Sequence, residues 1–285
     1  MALIHANFFA PSLMRTVDID VLIPADPMFS FGAPPEYKAM YLLHGFMGSH
    51  VDWHLNVNLS ELSQMTNMAI IMPSGDNAFY VDMEPATMRY SKFIGEDLVN
   101  FTRTLLPISG KREDTLLAGL SMGGFGALYN GLKYYKTFGH IIALSSAIVT
   151  YEAKYSTADA NPLGVNRAYF STVFGNLDEL DSSDKNLDIL SEHTLAAAKA
   201  EALPLDVFFA CGENDSLVQA NRLLHRHMKK IGFEHVYEEA PGTHEWSFWD
   251  KFLRRGVERL YPLPKIDGAM MPFWREKPNE PIDLE

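Results

Sequence analysis

The stretch Asp114-Thr-Leu-Leu-Ala-Gly-Leu-Ser-Met-Gly-Gly-Phe-Gly126 decides the fold. It reads as an apolar strand, a Gly-x-Ser-x-Gly corner and the start of a helix. Such a corner holds its serine in a strained backbone conformation at the carboxyl edge of a sheet. Gly119 and Gly123, two places either side of Ser121, let strand and helix approach without a Cβ clash. The Ser121 hydroxyl then stands clear of the backbone, within reach of a base. The Met122 amide falls in the first helical turn, where unpaired N–H groups favour negative charge. Chance alone gives the bare pentapeptide in roughly one chain in ten of this length, so its surroundings have to carry the reading.

Outward from this corner, strands and helices alternate. The first ten residues read as a strand. Leu13, Val17, Ile19, Val21 and Ile23 then alternate with Thr16, Asp18 and Asp20, the pattern of a half-buried antiparallel strand at an edge. Pro24 to Pro35 is a loop. Lys38 to His44 and Met68 to Met72 are continuous apolar runs, strands buried on both faces. A helix is expected over 58–66, a long aromatic loop over 74–89 and a helix over 91–106. Strands follow at 140–144, 205–210 and 234–238, with helices at 216–231 and 245–261. Residues 147–203 carry no clean strand pattern beyond a helix at 191–202, and read as an insertion that caps the site. The tail after Pro262 reads as extended. The whole predicts one α/β domain over residues 1–285, with a mainly parallel sheet and helices on both faces.

Composition narrows the class. The 285 residues are 47% hydrophobic and 21% charged, ordinary for a soluble globular chain. No apolar run approaches the roughly 20 residues that span a bilayer, and the apolar start has no basic residue before Arg15, unlike a secretory leader. A cytoplasmic location without membrane partners is expected. A net charge of −12 and the lack of a dense Lys/Arg cluster exclude nucleic acid as a partner. The one cysteine, Cys211, forms no intrachain disulfide, fits a reducing compartment and packs as a small hydrophobe. No Cys/His spacing resembles a zinc site, and no metal or cofactor is expected.

In a parallel sheet, the loops at the carboxyl ends of the strands meet on one edge. Four such loops carry chemistry: Ser121, Asp215, His244 and the His44-Gly45-Phe46 turn. The chain order Ser, Asp, His is that of an α/β-hydrolase. A serine hydroxyl attacks only when a base takes its proton. His244 is placed to be that base and, later, the acid that protonates the leaving alcohol. Asp215 holds the imidazole tautomer, with Glu213 as its nearest competitor. The amides of Met122 and Phe46 form the oxyanion hole. Trp53, Phe79, Tyr80 and Trp246 are candidates for the substrate pocket. Activity is expected to fall at low pH as His244 gains a proton.

These segments together resemble the esterase D family of α/β-hydrolases. The resemblance rests on Leu-Leu-His-Gly at 42–45, Ala-Gly-Leu-Ser-Met-Gly-Gly at 118–124, Cys-Gly-Glu-Asn-Asp at 211–215 and Gly-Thr-His-Glu-Trp-Ser-Phe-Trp-Asp at 242–250. Asn77-Ala-Phe-Tyr-Val-Asp82 resembles the tributyrin-esterase branch, as does the His-Gly turn. The family includes short-chain carboxylesterases, acetyl xylan and feruloyl esterases, S-formylglutathione hydrolases and mycolyl-type acyltransferases. The resemblance implies a metal-free serine carboxylesterase on small ester substrates, with Ser121, Asp215 and His244 as its triad, assembled as a dimer or tetramer. Feruloyl ester or S-formylglutathione hydrolysis and acyl transfer are the alternatives; a hydrolase-fold protein that only binds is disfavoured by the intact triad.

Overall fold

The structure, a computed structural model, describes residues 1–25, 36–83, 85 and 87–262. Among the described residues eight strands form one sheet: β1 (Ala2–Ala10), β2 (Arg15–Ile23), β3 (Lys38–Leu43), β4 (Met68–Pro73), β5 (Thr115–Leu120), β6 (His140–Leu144), β7 (Asp206–Gly212) and β8 (Val236–Ala240). Their order is β1-β2-β4-β3-β5-β6-β7-β8. From β4 onward every neighbouring pair is parallel, and β2 runs antiparallel to both β1 and β4. This is the sheet of an α/β-hydrolase, and helices cover both of its faces.

The central strands explain their own burial. Odd and even positions of each strand feed different cores. Tyr41, Leu43, Ile71, Leu117, Ile141 and Phe209 join one apolar cluster. Met40, Leu42, Ile70, Leu116, Ile142 and Phe208 join the other. A strand with apolar side chains on both faces reads as an unbroken run, which is why the alternation vanishes there. Each fully buried side chain of this size contributes about 1.5–3 kcal/mol. The helix Met122–Lys133 is buried from Met122 to Leu132, being apolar and glycine-rich all round. The amphipathic helix Trp246–Leu260 lays Phe248, Trp249, Phe252, Leu253 and Val257 on the opposite face.

Several boundaries differ from the sequence reading. The alternating strand at 13–23 is not the edge. The first strand lies outside it, paired along its full length from Ala2↔Ile23 to Ala10↔Arg15. Asp20, expected on the polar face, is buried as a result. The last strand is Val236–Ala240, two residues later than expected. The helix expected over 91–106 begins at Tyr90 and contains a π turn at Phe93–Asp97. There a Cβ on Gly95 would lie 2.4 Å from the Tyr134 ring. A short helix, Asp52–Asn56, was not foreseen. Residues 147–203 fold as helices Thr150–Tyr155, Arg167–Phe174 and Leu187–Glu201 with a 3₁₀ segment at Leu177–Ser182. Most of the loop read over Pro24 to Pro35, and the C-terminal tail, lie outside the described residues.

Candidate active site

The corner at Ser121 is built from close backbone approach. β5 ends at Leu120, and the next helix starts at Met122. Ser121 sits at φ 54°, ψ −117°, a region that costs a non-glycine residue about 1–3 kcal/mol. Three backbone hydrogen bonds hold it there. Its N–H donates to Leu144 O at 2.8 Å, and its carbonyl accepts from Phe125 N–H at 3.0 Å and Ala147 N–H at 2.9 Å. A Cβ on Gly119 would lie 2.3 Å from Gly123 O, and one on Gly123 would lie 2.4 Å from Leu43 O. Neither position tolerates a side chain without moving backbone.

Two further loops reach the hydroxyl. His244 follows β8, and its Nε2 lies 3.0 Å from Ser121 Oγ. Its Nδ1 lies 2.9 Å from Asp215 Oδ2. Asp215 follows β7, and its side chain is fully buried. Its Oδ1 accepts from Leu217 N–H at 2.9 Å. Burial works to raise this carboxyl, but hydrogen bonds from His244, the Leu217 amide and Ser145 outweigh it and hold it below the usual carboxylate range. Glu213, the rival acid, is half-exposed on the same loop, and the imidazole pairs with Asp215 instead. Trp249 packs edge-on against His244 with ring centroids 4.8 Å apart, and its Nε1 donates to Ser145 Oγ at 3.1 Å. The imidazole is thus fixed by a carboxylate at one nitrogen and an indole edge on its flank.

The turn after β3 is braced from beneath. Gly75 N–H donates to His44 Nε2 at 2.8 Å, so the proton of that ring is on Nδ1, which donates to Gly45 O at 2.7 Å. Burial lowers the basicity of His44 and keeps it neutral in this role. Tyr80 O–H donates to His44 O at 3.1 Å. Asn77 closes the brace: its Oδ1 accepts from Met47 N–H at 2.7 Å, and its carbonyl accepts from Tyr169 O–H at 2.6 Å. Phe46, beside Met47, stacks edge-on against Tyr169 with centroids 5.9 Å apart.

A cavity of about 550 Å³ opens at Ser121. Ser121, Met122, His244, Phe46 and Phe79 lie in its wall, and Val149, Asn161, Leu163, Val165, Tyr169 and Phe170 of the 147–203 segment complete it. Of the four aromatic residues expected to line a pocket, Phe79 does so. The other three do not. Trp53 is buried beneath the sheet edge with its Nε1 donating to Leu43 O at 2.9 Å. Tyr80 fills the space above Gly126, where a Cβ would come within 2.5 Å of its ring. Trp246 packs against Trp53 and Trp249. Residues that sequence reasoning missed are Asn77, Ser145 and Tyr169. Ser145 follows directly on a strand end, the one signal that would have marked it.

Residues 12–260 match the protein-family model Esterase, described as "Putative esterase". The chain is 39% identical over 262 residues to an acetyl esterase of Caldicellulosiruptor saccharolyticus, covering 90% of this chain and 97% of that protein. Its fold is similar to that of a fluorophosphonate-binding serine hydrolase, FphF, of Staphylococcus aureus. That match has a TM-score of 0.77 at 23% identity and covers 91% and 98% of the two chains. It is also similar to the S-formylglutathione hydrolase FrmB of Staphylococcus aureus, with a TM-score of 0.75 at 24% identity over 91% and 98%. The chain belongs to the esterase family and is an enzyme of ester hydrolysis on an α/β-hydrolase fold.

Proposed function

We propose that this esterase hydrolyses short-chain acyl esters, acetyl esters of sugars among them, through an acyl-enzyme on Ser121. The observation that carries the reading is the continuous relay Asp215–His244–Ser121 at the wall of an apolar cavity. His244 Nε2 takes the Ser121 proton as Oγ bonds to the substrate carbonyl carbon. The amides of Met122 and Phe46 bind the oxygen that gains charge, each contributing roughly 3–4 kcal/mol. When the carbon–oxygen bond to the alcohol breaks, His244 returns the proton to the leaving oxygen. A water then gives a proton to His244 as its oxygen bonds to the acyl carbon; the bond to Ser121 Oγ breaks, His244 returns the proton to Oγ, and the acid leaves. Asp215 holds the tautomer throughout.

The cavity wall favours this substrate class. Phe46, Phe79 and Phe170 supply an apolar surface, with Glu152 and Asn161 as polar groups able to meet an alcohol half. Among the described residues of this wall there is a carboxylate but no Lys or Arg. An anionic thiol such as glutathione therefore finds no counter-charge, which sets S-formylglutathione below a neutral sugar ester. The curated relative named acetyl esterase supports the same choice. Residues 147–203 act as a cap within one domain, joined to the turn at Phe46 through Tyr169 and Asn77. Membership of the esterase D branch, a cytoplasmic location and assembly as a homo-oligomer belong to the same proposal. Among the described residues no helix is long and apolar enough to cross a membrane.

A panel of acetyl, butyryl, feruloyl and S-formyl thioester substrates tests it. We expect kcat/KM to be highest for acetyl or butyryl esters and at least about tenfold lower for the feruloyl and S-formylglutathione substrates, as one unfavourable pocket contact costs 1.4 kcal/mol or more. A preference for S-formylglutathione would overturn the assignment. An added sugar acceptor that captured most of the acyl group would reassign the chain to acyl transfer.

The brace at Asn77 makes a separate prediction. Asn77→Ala leaves Met47 N–H without its acceptor and frees the turn that carries Phe46. We expect kcat to fall about tenfold to 100-fold with KM little changed, because a shift of about 1 Å at an oxyanion donor is felt in the transition state. A variant with wild-type kcat would show that the turn is held without it.

A further inference from the structure

Asp20 is a carboxylate out of reach of water. It lies on β2 beneath the edge strand, with a side chain only 5% exposed. A buried carboxylate has to be hydrogen-bonded or paired with a cation. Among the described residues, the basic groups within 4.0 Å of it are two imidazoles. His5 Nδ1 lies 2.8 Å from Oδ1, and His54 Nδ1 lies 3.4 Å from Oδ2. That His54 nitrogen is itself buried and makes no hydrogen bond. A third imidazole, His50, faces His5 with ring centroids 5.2 Å apart. Its Nδ1 is engaged by Ser74 Oγ at 2.8 Å, which leaves Nε2 as the nitrogen available to a ligand. One donor atom from each of His5, Asp20 and His50 lies within 4.8 Å of the others.

We propose that His5, Asp20 and His50 bind a divalent ion of the zinc class, with His54 and Ser74 orienting the carboxylate and the His50 ring. Two imidazoles and one carboxylate form a donor set that suits zinc and its neighbours, whereas calcium and magnesium take oxygen. Bonds of about 2.0–2.2 Å in tetrahedral geometry set donors about 3.4 Å apart, so the His5 and Asp20 atoms, 2.8 Å apart, must open slightly while the third donor moves in from within 4.8 Å. His5 has room to do so: its side chain is 57% exposed on an edge strand. The hydrogen bond to Ser74 is the kind of partner that fixes the tautomer of a ligating histidine. None of the three residues lines the cavity at Ser121, so the ion would take no part in ester hydrolysis. It would instead fasten β1 to the turn that runs from Phe46 to His50. The rival site is the pair His225 and His235, whose Nδ1 and Nε2 lie 2.8 Å apart. Among the described residues, no third His, Cys, Asp or Glu donor lies within 4.8 Å of both of that pair.

The test uses the full chain stripped with a chelator and then titrated with zinc chloride by calorimetry, with cobalt(II) absorption as a second readout. We expect one ion per chain with micromolar affinity, and a melting temperature raised by about 5 °C at zinc 100-fold above its Kd. His50→Ala and Asp20→Asn should each weaken binding at least about 100-fold, His54→Gln about tenfold, and His225→Ala not at all. Turnover of a simple ester by each variant reports that it is folded. Folded wild-type protein that takes up no zinc at millimolar concentration overturns the proposal. So does binding that survives His50→Ala and is lost in His225→Ala.

Discussion

Ser121→Ala should lose ester turnover, with kcat falling by about 10⁴-fold or more toward the background of an intact oxyanion hole. The variant removes one oxygen, 3.0 Å from His244 Nε2, the atom proposed to take the acyl group. The backbone at φ 54° and its three hydrogen bonds involve no side-chain atom, so alanine inherits the same strain and the same supports. We expect the melting temperature to stay within a few degrees of wild type. Activity is therefore lost without loss of fold, which separates chemistry from structure. Active-site titration with a phosphonate ester adds a second readout: wild type is labelled at one serine and the variant is not. Equal kcat in the two proteins would eliminate the serine mechanism and leave the fold untouched.

The strands of this fold were legible because burial on both faces writes itself as unbroken apolar runs. Lys38–Leu43, Met68–Pro73 and His140–Leu144 were found this way. Boundaries slipped where one face is half-wet. Val236 to Glu239 are only partly buried, so the apolar pattern there is weak and the strand was placed two residues early. The edge was misjudged for a related reason. β1 alternates between half-buried and exposed residues up to its last turn, and nothing local says that it covers β2.

The site was legible only in part. A glycine corner, and acids and bases just past strand ends, follow from sheet topology, so motif, position and order together single out Ser121, Asp215 and His244 as candidates, and the structure puts them in hydrogen-bond contact. Pocket residues could not. Trp53, Tyr80 and Trp246 are large and lie near the right loops, but size does not say which side of a loop a ring takes. Tyr80 went inward because two glycines, Gly75 and Gly126, leave it a slot. Much of the wall comes from 147–203, which carries no strand signal. The histidine cluster around Asp20 was invisible for a simpler reason: its members stand at 5, 20, 50 and 54, on two strands, a turn and a helix, and no spacing rule joins them.

Asp215→Asn should cost nearly as much as the serine, about 10⁴-fold in kcat, although it changes neither volume nor the reacting atoms. The direction follows from the hydrogen bonds. Oδ1 of residue 215 accepts from Leu217 N–H at 2.9 Å. An asparagine keeps that bond with its oxygen and must then turn its NH₂ toward His244 Nδ1. A donor facing Nδ1 forces the imidazole proton onto Nε2, where it points at the Ser121 hydroxyl and cannot accept a proton. The wild-type carboxylate selects the opposite tautomer and stabilises the imidazolium that forms. It does so over a wide range of pH. Its folded value is held below the unfolded one, so its contribution to stability is complete above the ordinary carboxylate range and is lost only as pH falls through the depressed value. Between pH 5 and 8 Asp215 therefore stays ionised, so the tautomer that it selects is held across this range. Steady-state kinetics of Asp215→Asn across this range, with Glu213→Gln alongside, decide the matter. A rate within tenfold of wild type for the first, or a comparable loss in the second, would move the acid's role to Glu213, which is half-exposed and has no hydrogen bond to the imidazole to support it.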